Sequence, residues 1–167
     1  MVPDGYYIDY DKPKIKSGYG NVNYFEDKIF MRQTGDSLIC AIDNRGLLAL
    51  NNVHIGNRTK EGISLQYVVA LLNSRLMDFY YRAVALESGR VMAQIDIEMI
   101  ESLPVNPTAS LFQEQIESLV NRILRAKALD PQEDTSEFEV AIDQLIFNLY
   151  DLTDEEVSIV EDTLITQ

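Results

Sequence analysis

Ser64-Leu-Gln-Tyr-Val-Val-Ala-Leu-Leu-Asn-Ser-Arg-Leu-Met-Asp-Phe-Tyr-Tyr-Arg-Ala83 decides the fold, because here the hydrophobic period changes from 2 to 3.6. Leu65, Val68, Val69, Leu72, Leu76, Phe79, Tyr80 and Ala83 recur at the spacing of one helical face, which predicts a single long helix. Its other faces carry Tyr67, Leu71, Met77 and Tyr81, so it is expected to be covered on more than one side and to form the spine of the front of the molecule. Ser88-Gly89-Arg90 breaks it.

Upstream, three short runs read as strands: Lys28-Ile-Phe-Met-Arg-Gln33, Leu38-Ile-Cys-Ala-Ile-Asp43 and Gly46-Leu-Leu-Ala-Leu-Asn-Asn-Val-His-Ile55. Thr34-Gly35-Asp36-Ser37 and Asn44-Arg45-Gly46 turn the chain between them, which predicts a small, mostly antiparallel sheet. Residues 1–24 show no sustained period and read as an extended lead-in. Downstream, Leu103-Pro104-Val105 reads as an extended exit, because proline disfavours helix at the residue before it. Residues 106–110 read as a linker. One helical stripe then carries Phe112, Ile116, Leu119, Val120, Ile123 and Leu124, with Ser110 and Gln113 spaced as a capping box. Asp130-Pro-Gln-Glu-Asp-Thr135 interrupts it. A second stripe carries Phe138, Ile142, Leu145, Ile146 and Leu149; a third, capped by Thr153 with Glu156, carries Val157, Val160 and Leu164. The fold class is α+β: a small sheet packed on a long helix, followed by a C-terminal three-helix unit, with domains expected at 1–107 and 108–167.

A chain of 167 residues holds one domain or two small lobes. No stretch approaches the roughly 20 apolar residues of a membrane span, and the first residues lack a signal-peptide pattern, so a cytoplasmic location is expected. With one cysteine and one histidine, neither an internal disulfide nor a Cys/His zinc site can form, and Cys40 reads as a buried, inert thiol. The net charge of −13 is unevenly spread. Residues 1–60 carry 8 Lys+Arg against 7 Asp+Glu, residues 61–107 carry 3 against 6, and residues 108–167 carry 3 against 14. Only the front suits a polyanion; the tail is acidic.

Several motifs bear on chemistry. Gly18-Tyr-Gly20 lacks the third glycine of a dinucleotide fingerprint. Asn106-Pro107 opens like an amino-methyltransferase motif, yet Thr108 and Ala109 supply neither the second proline nor the stacking ring. Pro3-Asp4 with Glu26-Asp27-Lys28 fits a magnesium-nuclease pattern, although such pairs arise easily by chance among 27 acids, and a charged strand entrance accounts for them as well. Asp154, Glu155 and Glu156 read as a helix cap favoured by the helix dipole, not as a metal site. No catalytic residue and no metal ligand is expected. The stretch Asn51-Asn-Val-His-Ile-Gly-Asn-Arg58 is a polar island with two readings. Its asparagines satisfy local backbone groups in a loop, or Asn51, Asn52, His54, Asn57, Arg58 and Lys60 present donors to base edges and phosphates. In the second reading Arg32, Asn44 and Arg45 join from neighbouring turns, and Arg90 from the break after the helix.

Three motifs in order carry a family resemblance: Lys28-Ile-Phe-Met-Arg-Gln-Thr-Gly35, Val69-Ala-Leu-Leu-Asn-Ser-Arg-Leu-Met-Asp-Phe-Tyr-Tyr81 and Ile100-Glu-Ser-Leu-Pro-Val105. They resemble the TaqI-like C-terminal specificity domain, the target-recognition part of bacterial adenine-specific DNA methyltransferases and of fused, type IIG restriction–modification enzymes. The run Ala141-Ile-Asp-Gln-Leu-Ile-Phe-Asn-Leu-Tyr-Asp-Leu-Thr-Asp-Glu-Glu156 resembles the C-terminal ending of the same proteins, so the likeness spans about residues 24–162. The resemblance implies a reader of double-stranded DNA. A separate catalytic domain or subunit would use S-adenosylmethionine to methylate a flipped-out adenine, and this chain would need no cofactor of its own. It also implies that Leu72-Asn-Ser-Arg-Leu76 supports the recognition loops without a catalytic role. The alternative is a protein-interaction module whose acidic helical tail docks onto a methyltransferase or restriction subunit.

Overall fold

A computed structural model describes residues 23–35, 37–49, 52–57, 59, 61–85, 94–107 and 110–165. Strands β1 (Lys28–Arg32), β2 (Cys40–Asp43) and β3 (Val53–Gly56) form one antiparallel sheet in the order β2-β1-β3. The turns that join them follow the expected chemistry: Gly35 and Gly46 both take positive φ, at 143° and 74°. The third strand is shorter than its apolar run, which begins at Gly46, because only Val53–Gly56 lies opposite β1.

Strand alternation turns Ile29 and Met31 of β1 and Cys40 of β2 to the helical side of the sheet, where all three are buried. Helix α1 (Leu65–Leu72) packs on that side and is covered on its far side by α4 (Ser110–Leu129). Helix α2 (Arg75–Val84) packs against α5 (Ser136–Leu149) and α6 (Asp154–Ile165), and the short α3 (Ile97–Glu101) lies in the return from the sheet. A single buried cluster runs from Ile29 and Met31 through Tyr67, Leu71 and Leu72 to Ile116, Ile142, Ile146 and Leu149. The α+β class and the three C-terminal helices stand as expected.

The long helix does not. It is divided at Asn73 and Ser74, where Ser74 adopts an extended conformation (φ −70°, ψ 153°) and caps α2 by accepting from the Met77 N–H. The Ser74 hydroxyl also donates to the Leu71 carbonyl at 2.7 Å, closing off the last turn of α1. The break resets the helical phase. In α2 the buried residues are Met77 and Tyr81, not the expected Tyr80 and Ala83, which are exposed. Tyr67 and Leu71, placed on the secondary faces by periodicity, are almost wholly buried between the sheet and α4.

Helix α6 begins with the reciprocal cap that its sequence predicts: Glu156 accepts from the Thr153 N–H and hydroxyl, and Thr153 Oγ1 accepts from the Glu156 N–H. At α4 the Ser110 side chain of the expected capping box lies outside those described. Gln113 turns to the loop before α1, donating to the Gly62 carbonyl at 2.9 Å and accepting from the Ser64 N–H at 3.3 Å. The stretch before α4 is pinned by two tyrosines: Tyr67 donates its hydroxyl proton to the Asn106 carbonyl, and Tyr150 donates to the Pro104 carbonyl while accepting from the Asn106 N–H. Among the described residues no helix is long and apolar enough to cross a membrane.

Candidate nucleic-acid interface

The described candidates divide between the two ends of the sheet. At the Arg32 end of β1, the guanidinium folds back over Gly35 and reaches the Ser37 carbonyl and hydroxyl at 3.4 Å. Asn52 is exposed next to it, and its carbonyl accepts from the Gln33 N–H at 3.1 Å. At the Lys28 end lie Asn44 and Arg45, both exposed on the turn after β2, and Asn57 after β3. Four residue steps of extended chain separate Lys28 from Arg32, about 13 Å at strand rise. Antiparallel pairing therefore places the candidates as two clusters, with the sheet between them. His54 belongs to neither. It pairs with Met31 on the helical side, and its Nε2–H donates to the Ile95 carbonyl at 2.7 Å, tying β3 to the chain that leads into α3. Asn51, Arg58, Lys60 and Arg90 lie outside the described residues, as do Asp4 and the Gly18-Tyr-Gly20 stretch.

The Lys28 end has a buried electrostatic core that sequence reading missed. Lys28 is fully enclosed and forms an ion pair with Asp43; it also donates to the Tyr24 carbonyl at 2.6 Å. Asp43 in turn accepts from the Arg45 N–H at 3.0 Å through Oδ1 and from the Leu47 N–H at 2.8 Å through Oδ2. Burial works to raise the Asp43 carboxyl, but the Lys28 hydrogen bond and the two backbone donors outweigh it and hold its pKa below the ordinary value. A lysine fixed this way cannot steady an attacking water, so the nuclease pattern loses one of its three members. Among the described residues no cluster of three or more His, Cys, Asp or Glu side chains could hold a metal ion.

Around this core the surface is partly apolar. Phe25 and Leu47 are 71% and 52% exposed, and the Phe25 ring lies against the position of Gly46, so the 23–27 and 44–47 turns touch. Glu26, on the first turn, accepts from Asn23 at 2.9 Å and from Asn57 at 3.5 Å. Cys40 is the buried thiol expected from its surroundings, with burial pushing its pKa up to about 12.

Asn73, in the helix break, supports the sheet directly. Its Oδ1 accepts from the Cys40 N–H at 2.8 Å and its Nδ2 donates to the Cys40 carbonyl at 2.9 Å, so one side-chain amide takes the place of a neighbouring strand on the outer edge of β2. A stretch of helix, a break and an amide clasp thereby fix the sheet that carries the loops. The family model for the TaqI-like C-terminal specificity domain matches residues 2–105. The chain belongs to this family. The match takes in the lead-in as well as the sheet, α1, α2 and α3, and it stops before the acidic tail. A search of curated proteins returns no match.

Proposed function

We propose that this specificity-domain chain is the sequence-reading module of a restriction–modification adenine methyltransferase. The observation that carries the reading is the family match over residues 2–105, which contains every candidate loop. A specificity domain discriminates targets and leaves the chemistry to another domain. In this reading a separate catalytic domain or subunit binds S-adenosylmethionine and flips the target adenine out of the stack. The charge pattern agrees with that division. Residues 108–167 carry 3 basic against 14 acidic side chains, so this region repels a duplex, and most phosphate neutralisation falls to the catalytic partner. The two loop clusters, about 13 Å apart along β1, both fit within one duplex turn of about 34 Å.

The test is selection of a preferred duplex from a randomised pool, with binding of the winner followed at about 50 and 200 mM salt, across which phosphate contacts weaken steeply. Enrichment of a short motif is the expected result. Arg32→Ala, Arg45→Ala and Arg58→Ala should each weaken binding to that motif, and unchanged binding in all three would remove the proposed face. No enrichment by the folded chain would overturn the reading for the chain on its own.

A further inference from the structure

The tip at the Lys28 end of the sheet is held by more charge than its size requires. A fully enclosed ammonium and a nearly enclosed carboxylate sit under two short turns, although burying such a pair in place of apolar side chains is often neutral or costly for stability. The pair has another output, which is shape. Asp43 Oδ1 and Oδ2 each hold one backbone N–H of the 44–47 turn, Lys28 Nζ holds the Tyr24 carbonyl of the 23–27 turn, and the two turns meet where Phe25 packs at Gly46. One ion pair therefore dictates the backbone path of both turns. The side chains those turns present are Asn44, Arg45 and Leu47 from one and Phe25 from the other, all exposed.

We infer that Lys28 and Asp43 are positioning residues for sequence discrimination, and that the tip they shape, with Arg45, Leu47 and Phe25, contacts base edges in a duplex. The inference rests on the DNA-reading function proposed above. The chemistry of the tip favours bases over backbone. Glu26 and Asp27, both exposed, follow Phe25 and repel phosphate, whereas arginine and asparagine make bidentate contacts to purine edges and an exposed Phe or Leu can press on a thymine methyl or a base step. At the other end of the sheet Arg32 is folded over Gly35, and among the described residues no buried ion pair lies at that end.

The experiment uses the full chain and compares its affinity for the winning duplex with that for a scrambled duplex of the same composition. Replacing the ion pair by apolar residues of similar size, Lys28→Met with Asp43→Leu, removes the template without leaving a buried charge unpaired. The expected result is a loss of discrimination of about tenfold or more, the worth of a base contact, in a variant that still unfolds cooperatively although its midpoint falls, because the Tyr24 carbonyl and the Arg45 and Leu47 N–H groups lose their side-chain partners. A purely structural role would lower affinity for both duplexes in parallel, and that outcome, or unchanged discrimination in the folded double variant, overturns the inference. If the double variant does not fold, the surface variants Arg45→Ala and Leu47→Ala decide it: discrimination must fall in at least one, and retention in both overturns it. A parent chain that enriches no motif refutes the DNA-reading function itself, and this inference falls with it.

Discussion

Single side chains here do the work that strands and turns usually share. Asn73 is the clearest case, since its amide satisfies both outward backbone groups of Cys40 on the open edge of β2. Asn73→Ala takes the side-chain partners from a donor and an acceptor on an open strand edge that water can reach in part, so a loss of about 1 to 2 kcal/mol is expected in a urea melt. The two interior aspartates titrate in opposite directions. Asp43 is held below its ordinary value, so its contribution is fully present above the unfolded carboxylate pKa and is lost as pH falls through the folded one. Asp143 accepts from the Arg75 N–H at 2.9 Å, but burial dominates and raises it. Its stabilising contribution is therefore full below the unfolded carboxylate pKa and is lost as pH rises through the folded value, so at neutral pH the charge is a burden. Asp143→Asn, which keeps an oxygen for the Arg75 N–H, should leave the midpoint at pH 7 unchanged or higher and confer no gain near pH 3. A lower midpoint at pH 7 than the parent would show that the ion pair between Arg75 Nε and Asp143 Oδ2, 3.5 Å apart, outweighs burial. Cys40 gives a simpler readout: with its thiol pushed up to about 12, alkylation at pH 8 should be slow in the native chain and fast in urea.

At the scale of elements, the division between α1 and α2 matters most, because it sets which side chains reach the core. Ser74 is buried and makes two bonds across the break, accepting from Met77 N and donating to Leu71 O. Ser74→Ala should cost about 1 to 2 kcal/mol, the usual worth of a helix N-cap, measurable as a shift in urea midpoint at constant slope. The break was not legible in the sequence. Leu65 to Ala83 keep the 3.6 period across it, and nothing local reports that Asn73 will clasp a strand 33 residues upstream. What was legible was whatever depends on near neighbours: the alternation of β1, the glycine turns, the stripes of α4 and α5, and the Thr153–Glu156 cap. The candidate interface divides along the same line. Arginine and asparagine in turns could be picked out by chemistry, but their separation into two clusters follows from the β2-β1-β3 order, and the Lys28–Asp43 pair joins residues that only antiparallel register brings together. Gln113 shows the same limit, since its spacing from Ser110 fits a cap while its amide serves a loop 51 residues away.

The whole molecule sets electrostatic division against mechanical unity. The acid is concentrated beyond residue 107, and the family match ends at 105, yet the core crosses that line without interruption. Helix α4 supplies Ile116 and Val120, and α5 supplies Ile142, Ile146 and Leu149, to the cluster that holds Tyr67, Leu71 and Leu72. Tyr67 and Tyr150 pin residues 104–106 from opposite sides of the boundary, and Arg75 at the start of α2 bonds Asp143 of α5 and Glu161 of α6. Burial of a large apolar side chain contributes roughly 1.5 to 3 kcal/mol, so the five tail residues together contribute on the order of 10 kcal/mol, comparable with the whole stability of a small domain. A chain ending at residue 107 should therefore fail to unfold cooperatively and should show the broad, poorly dispersed amide spectrum of a loosely packed state. A sharp thermal transition in that fragment would show that the sheet and α1 hold a sufficient core alone. The result also governs how a docking role for the tail can be examined, because removing the tail would remove the recognition loops' support along with any docking surface. Substituting exposed acids of α6, such as Glu155 and Asp162, by lysine changes its charge and leaves the buried Val160 of that helix in place.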